Sequence, residues 1–232
     1  MQEANSTRER NGGSDQNVSN DDLVYQVAVE LISRTNKTLD IKQLFDACLQ
    51  QLQLPAKTIN SSIYNLIKKK YIVEGSKLTR QDILSNELRG KIYSYVQGNP
   101  GCRVRDIRRE MSIDNAESHW HLKMLEKFGF LRNKRFGKYL CYFDASFPED
   151  HDEILCILRH NTTYNVFYDI FLTPNSTEGE IAQRLGIHPS TVKYHVDKLT
   201  KTALVHQSSD SGFSINTDLW NSIVQMAPSF SG

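Results

Sequence analysis

Along this chain of 232 residues, apolar side chains recur three and four apart, in segments separated by polar, glycine or proline breaks. That is the period of helices burying one face, and it predicts a mainly helical protein. Leu23, Val27 and Leu31 mark a first helix; Ile41, Leu44, Phe45, Cys48 and Leu52 mark a second, with Asp40 placed to cap it. Pro55 opens a third helix through Ile59, Ile63, Leu66 and Ile67, at a position where its missing N–H is tolerated. The stretch EGSKLTRQDILSNEL at 74–88 comes too soon for a full hairpin. From about Leu84 a second group begins with a helix through Leu88, Ile92, Tyr95 and Val96, stopped by the breakers Gly98-Asn99-Pro100-Gly101. A short helix through Val104, Ile107 and Met111, a turn at Ser112–Asp114, and a helix at Asn115–Lys127 with Ser118, Leu122 and Leu125 inward come next. Phe130 and Leu131 then open a strand whose partner is Tyr139–Phe143, leaving Arg132–Lys138 as the hairpin tip with Gly137 in its turn.

The third group starts with one long helix, roughly Asp152–Leu172, closed by Pro174-Asn175. Thr177 and Glu180 form a capping box for a helix holding Ile181 and Leu185; Gly186 ends it. Pro189-Ser190-Thr191 opens a helix with Val192, Val196 and Leu199 inward, followed by a hairpin turning at Asp210-Ser211-Gly212 and a last helix at Asp218–Met226.

The groups repeat one another. HWHLKMLEKFGFL (His119–Leu131) recurs as KYHVDKLTKTALV (Lys193–Val205) and more faintly as SSIYNLIKKKYIV (Ser61–Val73). In this register Leu125, Leu199 and Ile67 coincide, as do Leu131, Val205 and Val73. His121 and His195 also coincide, each behind an aromatic, Trp120 or Tyr194. A shorter helix and a tight turn precede the second and third copies, which is the order of a helix-turn-helix with a hairpin behind it. The expectation is an α+β protein, mainly α with small β-hairpin wings, made of tandem winged helix-turn-helix modules. Its parts are a disordered tail at 1–20, a winged-helix-like module at 21–79, and winged helix-turn-helix domains at 80–147 and 148–232.

Composition adds few constraints. Hydrophobic content of 39% and charged content of 24% fit a soluble globular protein, and no apolar run approaches the roughly 20 residues of a membrane span. The start, MQEANSTRERNGGSDQNVSN, lacks a signal-peptide core, so a cytoplasmic, nucleoid-associated protein is expected. Cys48, Cys102, Cys141 and Cys156 show no C-x-x-C pairing and read as free, mostly buried thiols. Charge changes the picture more. Residues 1–79 carry 10 basic and 9 acidic side chains, 80–143 carry 13 and 7, and 144–232 carry 5 and 11. A basic middle module between a neutral and an acidic one places the main electrostatic footprint there.

An α-helix fits the DNA major groove, and the outward positions of the middle module's third helix are Ala116, Glu117, His119, Trp120 and Lys123. Cations flank it: Arg132, Lys134, Arg135 and Lys138 in the wing, and Arg103, Arg105, Arg108 and Arg109 on the helix expected to cross the sugar–phosphate backbone. In the third module Ser190, Thr191, Lys193, Tyr194 and Lys198 are the corresponding candidates. Its net acidity leaves two readings open: weak DNA contact, or pairing with another copy or another protein. His121 and His195 read as packed histidines rather than metal ligands. No nucleophile elbow, phosphate-binding glycine loop or acid pair is visible, so no enzyme, cofactor or metal is expected.

The segments NPGCRVRDIRREMSIDNAESHWHLKMLEKFGFLRNKRFGKYLCYF and GEIAQRLGIHPSTVKYHVDKLTKTALV resemble the archaeal and bacterial winged helix-turn-helix regulators of the broad MarR/ArsR kind. The pairing of two such units resembles archaeal regulators with two helix-turn-helix domains. The resemblance covers the chain from Leu84 onward and implies sequence-specific binding of double-stranded DNA through Ala116–Lys123, Arg132–Lys138 and Ser190–Lys198. The glycine usual after the third helix is Gly129 in the middle module and Ala203 in the last. A homodimer or a protein of the transcription machinery are the further candidate partners. The rival reading is a winged-helix interaction scaffold, as in ESCRT subunits or general transcription factors.

Overall fold

The computed structural model describes residues 19–208 and 212–230. The expected tail at 1–20 therefore lies outside the described residues except for Ser19 and Asn20, and so do Asp210 and Ser211 of the last expected turn. The chain forms two compact units, Met1–Lys77 and Leu78–Gly232.

The first unit holds α1 (Asn20–Thr35), α2 (Ile41–Gln51) and α3 (Ala56–Lys68). Ser19 and Asp22 close a reciprocal cap on α1, and Asp40 accepts from the Gln43 N–H at 2.8 Å to cap α2. Val24, Leu44, Cys48, Ile59, Leu66 and Ile72 are buried among one another. No strand comes after α3 in this unit among the described residues. Instead the Gly75 N–H donates to Leu39 O at 2.9 Å and the Leu39 N–H to Ser76 O at 2.8 Å, tying the returning chain to the residues ahead of α2.

The second unit contains α4 (Arg80–Ser85), α5 (Glu87–Gly98), β1 (Cys102–Arg103), α6 (Val104–Met111), α7 (Asn115–Lys127), β2 (Leu131–Phe136) and β3 (Tyr139–Asp144). It continues with α8 (Asp152–Leu158), α9 (Asn161–Leu172), α10 (Glu178–Leu185), α11 (Pro189–Lys201), β4 (Val205–Gln207), β5 (Phe213–Ile215) and α12 (Thr217–Met226). Two small antiparallel sheets result, ordered β1-β3-β2 and β4-β5. Neither α4 nor β1 is evident from the periodicity.

Within this unit the elements repeat in length as well as order. α5 and α9 have 12 residues, α6 and α10 have 8, α7 and α11 have 13, and equivalent residues stand 74 apart, as Leu125 and Leu199 do. The single helix expected at Asp152–Leu172 is in fact two, α8 and α9. His160 takes extended backbone (ψ 114°), as does its counterpart Asn86 (ψ 117°) between α4 and α5. Arg159, at the break, donates to Pro100 O at 3.1 Å and Asn99 Oδ1 at 3.2 Å.

The same comparison corrects the register of the first module. α3 also has 13 residues, and a left-handed residue stands at one equivalent place after each helix: Lys70 (φ 61°), Gly129 (φ 67°) and Ala203 (φ 58°). Leu66, not Ile67, therefore matches Leu125 and Leu199, and the buried Ile72, not Val73, matches Leu131 and Val205. The expected alignment was one residue out.

The last two modules share a core. Cys141 and Phe143 of β3 are packed with Leu155, Val166, Phe167, Ile181, Leu199 and Trp220 from the elements after them. Gly101 marks how close the halves come: at φ +80°, a Cβ there would lie 2.9 Å from the Leu155 carbonyl carbon. Cys141 and Cys156 form a disulfide between β3 and α8, which overturns the expectation of free thiols for that pair; Cys48 and Cys102 are free and buried.

Candidate nucleic-acid interface

The α6–turn–α7 geometry comes from its residues. Ser112 ends α6 in the left-handed conformation (φ 55°), and Asp114 caps α7 by accepting from the Glu117 N–H at 2.8 Å. Helix phase then buries Ser118, His121, Leu122 and Leu125 and leaves Ala116, Glu117, His119, Trp120 and Lys123 exposed. Trp120 keeps 53% of its surface in solvent, an unusual fraction for tryptophan. The His119 ring is fixed by its Nδ1, 2.8 Å from Asn115 O. All five candidates on this helix thus lie on one outward face.

The cations divide. β2 runs as far as Phe136, so only Gly137 (φ 57°) and Lys138 form the turn, shorter than the seven-residue tip expected at Arg132–Lys138. Arg135 and Lys138 are exposed. Arg132 is not available at the tip: its guanidinium grips Asp152 at 2.6 and 2.8 Å and donates to Phe147 O at 3.0 Å. Lys134, two residues on and on the same strand face, bonds Glu149 at 3.2 Å and lies 3.6 Å from Asp152. These two neutralise acidic residues of the following segment.

The arginines around α6 divide too. Arg105 and Arg109 are exposed and Arg108 is half-buried. Arg103 is not on the helix surface at all. It ends β1, is 5% exposed, and its guanidinium lies 4.0 Å from the Tyr139 ring centroid.

In the last module His188 caps α11, and Ser190, Lys193 and Tyr194 are exposed, with Thr191 and Lys198 half-buried. Lys198 Nζ stands 4.2 Å over the Tyr194 ring and holds its hydroxyl below the usual tyrosine range. Tyr194, Lys198 and Lys201 line one cavity with Arg135 and Lys138 of the neighbouring hairpin. Sequence reasoning missed Lys201, which the helical spacing from Lys198 would have placed on the same side.

His121 and His195 are both buried, at 4% exposure. Thr163 Oγ1 lies 2.8 Å from His195 Nδ1, and burial, with His160 and Lys198 nearby, pushes that histidine down to about 4. At the equivalent position to Thr163 stands Arg89, and burial first, then Arg89, lowers His121. Among the described residues no group of three or more His, Cys, Asp or Glu side chains is placed to hold a metal, and no helix is long and apolar enough to cross a membrane.

No protein-family profile matches the chain. It is similar to a protein of Methanocaldococcus jannaschii named an uncharacterized HTH-type transcriptional regulator, at 29% identity over 133 residues, 57% of this chain and 34% of that protein. The chain thus spans about a third of the length of the curated relative it matches.

Proposed function

We propose that the chain is a DNA-binding transcriptional regulator of tandem winged helix-turn-helix modules, in which 80–147 supplies the main grip on double-stranded DNA. The carrying observation is the face of α7: five candidate side chains point outward on a helix whose opposite side is locked into the core. His119 and Lys123 can donate to guanine edges, and Glu117 can accept from a cytosine amino group. Arg135 and Lys138 on the hairpin and Arg105 and Arg109 on α6 supply exposed charge for phosphates. The name of the M. jannaschii relative supports the same reading. It describes a binding protein rather than an enzyme, acting at the nucleoid.

A tagged full-length chain mapped genome-wide tests this directly, with discrete enriched sites expected. If the full-length protein holds no duplex DNA even at low salt, the regulator reading is wrong. The interaction scaffold then takes its place, and one observation already favours it for the last module. Tyr168, Phe171 and Leu172 on α9 are 43, 39 and 60% exposed, an apolar stripe on the acidic part of the chain.

A further inference from the structure

The first unit repeats the geometry of the reading helix without the hairpin behind it. α3 has the 13 residues of α7, and with Leu66 set on Leu125 its exposed Asn60, Ser61 and Tyr64 fall where His119, Trp120 and Lys123 stand. Ile59, Ser62, Ile63 and Leu66 are buried on the opposite side. The likeness to winged regulators runs from Leu84 onward and assigns this face nothing.

Lys57, Ser61, Tyr64 and Lys68 are exposed at spacings of four, three and four, so they form one stripe along α3. Tyr64 keeps 63% of its surface in solvent, more than Trp120. The two lysines stand about 16 Å apart along the helix axis. On flexible stems they can reach phosphates on both rims of a major groove about 12 Å wide, with Asn60 and Ser61 between them over the base edges. An asparagine there can pair with adenine through its amide.

Lysines on a helix surface are ordinarily solvated and balanced by acids nearby. This stripe has no such balance. Residues 56–73 contain Lys57, Lys68, Lys69 and Lys70 and no Asp or Glu. Lys69 lies 3.6 Å from Asp21 of α1, while neither Lys57 nor Lys68 is in an ion pair among the described residues. The helix dipole accounts for Lys68, in the last turn, but not for Lys57, in a first turn that holds no acid. Lys70, exposed in the left-handed turn (φ 61°), adds charge just ahead of where the other two modules enter a hairpin strand. The near-neutral total of residues 1–79, 10 basic against 9 acidic, hides this face because the acids lie elsewhere in the sequence.

We propose that the first unit grips duplex DNA through α3, with Lys57, Lys68 and Lys70 on phosphates and Asn60 and Tyr64 in the groove. It is a second contact, separate from α7 and served by no wing, and it rests on the reading of the chain as a DNA-binding protein.

The test is the affinity of the full-length chain for a mixed-sequence duplex across a salt series, because phosphate contacts supply essentially all non-specific binding. Lys57→Ala with Lys68→Ala should flatten the slope of log affinity against log salt by up to about 2 units. Both positions are exposed, so the thermal midpoint should stay at the wild-type value. Asn60→Ala should leave the slope intact and blunt discrimination between duplexes of different sequence. Arg135→Ala with Lys138→Ala, in the second unit, is the comparison. If that pair flattens the slope and the α3 pair does not, the proposal is wrong and the regulator reading stands. The reverse result keeps the proposal and removes the grip assigned to the β2–β3 hairpin. A wild type that holds no duplex at low salt removes both. A single strand of the same sequence, held more tightly than the duplex and released by Tyr64→Ala, also overturns the proposal, since the face would then stack bases rather than enter a groove.

Discussion

The halves of the second unit, 87–144 and 161–215, are built on one frame and differ in what they show to solvent. Ser118, His121, Leu122, Leu125 and Leu131 are buried in one; Val192, His195, Val196, Leu199 and Val205 are buried at the same places in the other. Three pairs of helices agree in length residue for residue. The outer surface is unconstrained by that packing and differs, with 13 basic against 7 acidic residues at 80–143 and 5 against 11 at 144–232. Packing fixes the repeat, and charge distinguishes the two halves. The excess acid of the later segment is also partly neutralised inside the molecule, by Arg132 and Lys134.

The largest effect should come from attacking the frame itself. Leu125→Asp and Leu199→Asp each bury a carboxylate without a partner, costing several kcal/mol, comparable with a small domain's whole stability. Because Cys141 and Phe143 belong to the core of the later half, either change should abolish one common thermal transition of the second unit. A surviving cooperative transition from the unmutated half would show that the halves fold independently.

Next in size is the ion pair between β2 and α8. Asp152 is 1% exposed and held by Arg132 at 2.6 Å, with Lys134 3.6 Å away, so Arg132→Ala leaves the buried carboxylate with only Lys134 beside it and should destabilise by at most about 3 kcal/mol. A thermal midpoint unchanged from wild type, with DNA affinity reduced, would return Arg132 to the phosphate-gripping wing that its sequence position suggests.

Arg132 also shows where the sequence runs out. Helical period, breakers and the repeat were enough to locate the third helices, the strand pair after α7, the turn glycine and the inward histidines. They were not enough for choices made by distant residues. A run of cations in a hairpin looks uniformly exposed until Asp152, 20 residues on, claims one of them. Cys141 and Cys156 show no local spacing motif because β3 and α8 bring them together. The apolar doublets Leu66-Ile67 and Ile72-Val73 satisfy either phase of a faint repeat, so only the backbone turn at Lys70 decides the register. Continuous apolar spacing through 152–172 likewise hides the break at His160, which Arg159 secures through Asn99 and Pro100.

The paired histidines give a smaller, pH-dependent contrast. His195 is held near 4 against an ordinary value of 6.5, so below 6.5 the unfolded chain takes up a proton that the folded one refuses. Stability should therefore fall as pH drops from about 6.5 to about 4, by at most about 3 kcal/mol, and be unaffected by this group above that window. His195→Gln should flatten that part of the profile measured by chemical denaturation. His121 is lowered in the same direction, so His121→Gln should flatten it less; the reverse ranking would mean that burial, with His160 and Lys198 nearby, does not hold His195 neutral.

The finest test asks whether charge divides the roles between the two halves. Each phosphate contact adds about −0.9 to the slope of log affinity against log salt on duplex DNA, through release of counterions. Arg135 and Lys138 are exposed cations of the β2–β3 hairpin, and neither is in an ion pair among the described residues. Changing both to Ala should therefore flatten the slope by up to about 2 units. Adding Arg132 and Lys134 to the set should flatten it little further, because Asp152 and Glu149 already neutralise them. Lys193→Ala in the acidic half should move the slope by less than about 1 unit, since Lys193 lies 3.8 Å from Glu178. His119 and Lys123 belong to a different class: replacing them should leave the slope nearly intact and blunt discrimination between sequences, because base edges carry specificity and phosphates do not. Full-length protein is the material for the whole series, given that residues 80–143 share their core with the later half. Equal slope changes from Lys193 and from the Arg135–Lys138 pair would mean that both halves grip DNA alike and that the charge asymmetry assigns nothing.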